Sequence, residues 1–207
     1  MKQYPSIPKI KQSGSNFYVF DKIDGSNVRA EWSKKKGFTK FGSRKVLLGE
    51  AGASDEQTLL GESIALMQGL SEPMSALFNS KGWQQVTCFF EFYGPSSFAG
   101  SHVAEPHKVS LLDINIQNKG MLDVREFLDM FQDSGIEIPK LLHHGSFTSE
   151  MEEAVKAGTL EGMTFEGVVA KAPISKKWEA PTMFKVKNLA WIAKVKQVHG
   201  EKAEYYL

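Results

Sequence analysis

"KIDGSN", Lys22 to Asn27, follows the apolar run Phe17-Tyr18-Val19-Phe20 and Asp21, so a strongly hydrated amine stands where a hydrophobic strand meets a tight Asp-Gly turn. Such a turn fixes the direction of the chain that leaves it and holds the amine at one place. Two readings follow: a surface lysine that ends a hairpin strand, or an amine positioned to attack a phosphorus atom.

Three other stretches share the same tension. "FFEFYG" (Phe89 to Gly94), "EGVVAK" (Glu166 to Lys171) and "FKVKN" (Phe184 to Asn188) each set charge within or beside an apolar strand. Desolvating that charge is costly unless a ligand or partner compensates. Lys185 and Lys187 are two apart, so on a strand both amines leave the same face. Two ammonium groups on one face repel unless an anion lies between them, and a triphosphate is such an anion.

The chain has 207 residues, 42% of them hydrophobic, enough for one sizeable core or a domain with a small appendage. Its single cysteine, Cys88, excludes an intramolecular disulfide framework and fits a reducing, cytoplasmic setting. Neither an export signal nor an apolar run of membrane-spanning length is present, so no membrane association is expected. The net charge of +1 conceals segregation. Residues 1–50 carry eleven Lys/Arg against four Asp/Glu, residues 171–207 eight against three, and the middle six against seventeen. If the ends meet in the fold they form a basic face suited to phosphates.

Periodicity predicts strands at 16–22, 27–32, 37–42, 84–93, 108–116, 164–171 and 182–187, and helices at 55–80, 123–134 and 149–157. Ser149 and Glu152 have capping-box spacing, and Leu189–Val198 has helical apolar spacing. Hairpin strands with helices at irregular intervals predict an α+β fold of mainly antiparallel sheets with flanking helices. There is neither a GxGxxG nor a GxxxxGK[ST] sequence, so dinucleotide and P-loop folds are not indicated.

The set "KIDGSN", "EFYG", "EGVVAK" and "KVKN", in this order, resembles the covalent nucleotidyltransferases: ATP-dependent DNA ligases, RNA ligases and mRNA capping guanylyltransferases. Each motif alone is weak, but four in order over residues 22–188 are not. Asn27, and Arg44 in "GSRK", resemble the RNA ligase 2-like branch. The resemblance implies a nucleotidyltransferase (ATP-grasp-like) adenylyltransferase domain at 1–188 with a C-terminal helix at 189–207 packed on it. Twenty residues follow Lys187, too few for an OB domain, so adenylylation is expected more firmly than the sealing of strands.

The resemblance further implies that Lys22 attacks the α-phosphorus of ATP. Only a neutral amine is nucleophilic, so burial, Lys185, Lys187 and a divalent cation (Mg2+ or Mn2+) are expected to lower its pKa. Glu166 resembles the carboxylate that binds metal or orients the lysine, and Glu91 the one that accepts from the ribose hydroxyls. Arg29 and Arg44 are candidates for phosphate contacts, and Asp21, Asp24, Gly25 and Asn27 complete the expected nucleotide site. Where these ligases place an aromatic residue against adenine, this chain has Leu111 and Leu112. Either an aliphatic side chain covers the base, or Phe92 or Phe98 supplies the ring.

His143 and His144, and the loop histidines His102 and His107, make weak zinc candidates. Lys34 to Lys36 read as a solvated hairpin tip or as a contact to RNA backbone. The loop "GPSSFAGSHVAEPHK" suits a flap or an exposed connection. The expected partners are RNA 5′-phosphate and 3′-OH ends, with oligomeric state open. A minimal DNA nick ligase, a GTP-using capping-type enzyme and a non-catalytic nucleic-acid-binding module of the same fold are the alternatives.

Overall fold

The computed structural model describes residues 1–9, 16–50, 59–174 and 181–207. Two antiparallel sheets form its frame. The larger contains β2 (Ser26–Ser33), β3 (Gly37–Ser43), β4 (Leu47–Glu50), β5 (Gln85–Tyr93), β6 (Lys108–Ile116) and β7 (Gly120–Met121), in the order β4-β3-β2-β5-β6-β7. The smaller joins β1 (Phe17–Asp21), β8 (Leu141–Gly145), β9 (Gly167–Lys171) and β10 (Met183–Lys187), in the order β10-β9-β1-β8.

Period-two alternation gives each sheet two unlike faces. In β9 and β10, Val168, Ala170, Phe184 and Val186 join Phe17 and Val19 in a core closed by Val155 of α4 (Ser149–Ala157). The intervening Val169, Lys171, Lys185 and Lys187 face the opposite way, into a cavity. Likewise Val28, Ala30, Trp32, Cys88, Phe90 and Phe92 pack under α1 (Leu59–Gly69), α2 (Ser71–Ser80) and α3 (Val124–Phe131). Asn27 and Glu91 turn toward the cavity instead.

The α+β expectation therefore holds, with local corrections. The helix expected at 55–80 is two helices that break at Leu70; its first part, 55–58, lies outside the described residues. Pro73 explains the break, because its ring would collide with the carbonyl of residue 69 in a continuous helix and it has no N–H to donate. The N-cap of α4 is Thr148 and not Ser149: the Thr148 hydroxyl accepts from the amide of Met151. Strands β4, β7 and β8 were not anticipated, and β9 begins at Gly167, three residues later than expected. Helix α5 (Leu189–His199) is capped by the Asn188 side chain and continues into a 3-10 turn at Gly200–Tyr205. Trp191, Val195 and Ala203 of this segment pack with Ala99, against which Phe98 and Phe165 also lie. Among the described residues, no helix is long and apolar enough to cross a membrane.

Candidate active site

A cavity of about 500 Å³ opens between the sheets. Its lining includes Lys22, Gly25, Asn27, Glu91, Glu166, Lys171, Lys185 and Lys187, together with Arg44 and Lys45 from the β3–β4 turn. The two basic ends of the chain thus meet here, because β1 and β10 both pair with β9.

Backbone contacts set the geometry. The amide of Lys22 donates to the carbonyl of Gly167 (2.9 Å), and that of Asn188 to the carbonyl of Glu166 (3.0 Å). The end of β1, the start of β9 and the end of β10 are therefore stitched at one place. Gly167, at φ +140°, allows the close approach: a Cβ there would lie 2.1 Å from the Val186 carbonyl oxygen. Gly25 is required for a similar reason, since a Cβ would lie 2.4 Å from the carbonyl oxygen of Phe92.

At this junction Glu166, 3% exposed, binds two amines. Its Oε2 lies 2.9 Å from Lys22 Nζ, and its Oε1 lies 2.9 Å from Lys187 Nζ. Lys187 Nζ also donates to the Tyr206 carbonyl (3.0 Å) and sits 4.0 Å from the centroid of the Trp191 ring. Burial alone would push Lys22 toward the neutral amine. The carboxylates of Glu166, Glu91 and Asp24 oppose it, and the outcome is a pKa raised above the ordinary lysine value. This corrects the sequence expectation of a lowered pKa: the carboxylates of Glu166, Glu91 and Asp24 together outweigh burial.

Lys185 behaves differently. Burial first, then the ammonium groups of Lys187 and Lys22, bring its pKa down to about 8. Among the described residues it has no ion pair. Lys187 is also shifted downward by burial, against the pull of Glu166. Burial pushes Glu91 up to about 7, with Lys22 opposing the rise.

Several expected site residues have structural partners instead of open lone pairs. Asp21 lines the cavity, but its carboxylate accepts from the Thr164 amide and hydroxyl, both at 2.9 Å. Asp24 accepts from the amides of Phe98 (3.1 Å) and Ala99 (2.8 Å) and from the Ser101 hydroxyl (3.0 Å). It tethers the 94–108 loop to the Lys22 turn and is not part of the cavity wall. Arg29 is also off the wall. It is buried and donates to the carbonyls of Lys2 (3.1 Å) and Arg44 (3.4 Å), so it braces the turn that presents Arg44. Asn27 donates to the Phe90 carbonyl at 3.3 Å.

Of the residues considered for covering a base, Leu112 and Phe98 line the cavity. Leu111 and Phe92 belong to the core of the larger sheet, because alternation places them on the face opposite Glu91. Lys34 to Lys36 are exposed at the β2–β3 turn, away from the cavity wall. Among the described residues, His143 and His144 lie on β8 and no group of three or more His, Cys, Asp or Glu is placed to hold a metal.

A buried assembly not expected from the sequence lies next to the site. Lys171 Nζ lies 2.7 Å from Asp113 Oδ2 and donates to the Leu112 carbonyl (2.8 Å), while the Tyr4 hydroxyl donates to the same Asp113 oxygen. A lone charge in the apolar run "SLLDI" was a signal for Asp113. Trp191 gave no comparable signal.

A sequence profile described as RNA ligase matches residues 15–187. No protein of curated function matches the chain by sequence. Among solved structures, an archaeal ATP-dependent RNA ligase superposes with TM-score 0.65 at 16% identity, over 94% of this chain and 50% of that one. A variant of the Naegleria gruberi RNA ligase, determined with ATP and Mn, gives 0.60 at 19%, over 88% and 52%. A putative ATP-dependent DNA ligase from Aquifex aeolicus gives 0.63 at 17%, over 100% and 57%. These identities speak for a shared fold, and the chain spans about half the length of the structures it matches.

Proposed function

Because the chain belongs to the RNA ligase family, we propose that it is an ATP-dependent RNA ligase whose residues 1–188 form the adenylyltransferase domain, with 189–207 packed on it. The observation that carries this reading is the convergence of Lys22, Lys185 and Lys187 on one cavity, with Glu166 bridging two of them.

In the first transfer the Lys22 nitrogen attacks the α-phosphorus of ATP. An N–P bond forms, the bond to pyrophosphate breaks, and the amine gives up its proton. In the second, an RNA 5′-phosphate oxygen displaces Lys22 and takes the AMP. In the third, a 3′-hydroxyl attacks the activated 5′-phosphate, the strands join and AMP leaves.

Lys22 cannot act while it is paired as an ammonium. Once Glu166 turns away, burial is the largest remaining influence and favours the neutral amine. Lys185 and Lys187, sharing a face, hold phosphate oxygens as charge shifts toward pyrophosphate. Arg44 is a further phosphate contact from the opposite sheet. Glu91 accepts from the ribose, with Asn27 beside it.

The Naegleria structure supports ATP with a divalent cation. Among the described residues the acids do not form an independent cage, but one carboxylate, Glu166, suits a cation that arrives on a triphosphate. Bound in that way, Mg2+ or Mn2+ supplies charge neutralisation at the phosphates.

The test is a nicked duplex with a 5′-phosphate and with ribose or deoxyribose on the 3′-OH strand. We expect ATP-dependent joining of the ribose strand and none by Lys22→Ala or Lys22→Arg, the latter because guanidinium stays charged. A second reading, a minimal DNA nick ligase, is favoured by the likeness to the Aquifex protein over the whole chain. Equal joining of both sugars would select it, and joining by Lys22→Ala would sink both.

A further inference from the structure

Tyr205 is 87% exposed, more than any other large hydrophobic side chain among the described residues. Here the backbone is pinned on both sides. Ala203 is buried with Trp191 and Val195. The amides of Tyr206 and Leu207 donate to the Ala203 carbonyl (2.9 and 3.2 Å). The Tyr206 carbonyl accepts from Lys187 Nζ (3.0 Å), and the Tyr206 ring packs on Phe98 and His199 at 4.5 and 4.4 Å. Tyr205 nevertheless belongs to the lining of the cavity that contains Lys22. The same cavity is lined from the larger sheet by Arg44 and Lys45, both exposed, and by Val46, 61% exposed.

A bare aromatic face on a fixed backbone, with two exposed cations lining the same cavity, fits a single-stranded nucleic acid end. A base stacks on the ring, and the cations meet its phosphates. We propose that Tyr205 is the stacking platform for the terminal base of the 5′-phosphorylated RNA strand, with Lys45, and Arg44 once pyrophosphate has left, as its phosphate contacts. This rests on the RNA ligase reading. The platform selects the aromatic face of a base and not its identity, since every base offers a π surface. It also links RNA to the chemistry, because the neighbouring Tyr206 carbonyl is bound to Lys187.

The experiment is fluorescence anisotropy of a short 5′-phosphorylated single-stranded RNA with the full chain, without ATP, at low salt. Tyr205→Ala is expected to weaken binding by about tenfold, the scale of losing one stacked base. Tyr205→Phe should bind within about twofold of wild type, because stacking needs the ring and not the hydroxyl. Lys45→Ala should weaken binding and flatten its salt dependence. Each variant is also incubated with α-phosphate-labelled ATP. Wild-type binding by Tyr205→Ala, or an equal loss in Tyr205→Phe, would overturn the platform. A loss of ATP labelling in Tyr205→Ala with RNA binding unchanged would show that the ring serves the nucleotide instead. A wild type that binds RNA with the expected dependence on Tyr205 but never takes up label would refute the ligase reading and leave the platform standing.

Discussion

Lys185 is the cavity cation whose proton is least secure. Its pKa of about 8 lies below that of an unfolded lysine, so between about pH 8 and 10.5 the unfolded chain binds more protons there than the folded one. Stability from this group therefore rises with pH across that window, and at neutral pH the group costs free energy. The displacement corresponds to roughly 3 kcal/mol, reduced to about 2 by partial solvent access. Lys185→Met should raise stability toward urea by about 2 kcal/mol at pH 7, with the gain shrinking as the pH approaches 10.5, while ATP labelling is lost. A destabilised variant at pH 7 would show that the ammonium is satisfied in the folded chain. Lys185 was legible in the sequence because two lysines alternate on one strand. The state of Lys22 was not: its charge depends on how near the carboxylates of Glu166 and Glu91 come, and spacing along the chain does not give that distance.

The 94–108 loop reads in the sequence as a long polar connection, yet Asp24 makes part of it an extension of the Lys22 turn. Removing the carboxylate leaves two amides and a hydroxyl without their acceptor, at about 1–3 kcal/mol for each group that water fails to reach. Asp24→Ala is expected to lower stability by about 3 kcal/mol and to speed hydrogen exchange at Phe98 and Ala99. Unchanged exchange together with lost ATP labelling would instead assign Asp24 to the nucleotide directly. The Asp-Gly signature announced the turn, but not the partner 74 residues away. The same boundary applies to helices. Pro73 marks the α1–α2 break once the helices are seen, whereas apolar spacing alone ran through it. At α4, two hydroxyl residues stand side by side, and the extended conformation of Thr148 selects it as the cap.

Across the whole molecule, the charge segregation along the chain becomes a charged cavity. Basic segments from both ends meet at β1, β9 and β10, while residues 51–170 supply much of the helical packing behind the sheets and the acids Glu91, Asp113 and Glu166. The alternation of β9 and β10 made the faces legible. It could not reveal that Lys171 is tied to Asp113 and Tyr4 or that Trp191 lies under Lys187, because those contacts join distant segments. On this reading the cavity makes Lys22 a nucleophile toward ATP. This is tested most directly by intact-mass measurement and peptide mapping after incubation with ATP and Mg2+ or Mn2+. The expected result is one added AMP, located on the peptide that contains Lys22 and absent in Lys22→Ala and in EDTA. No adduct on the wild type, or an adduct that persists in Lys22→Ala, would contradict it.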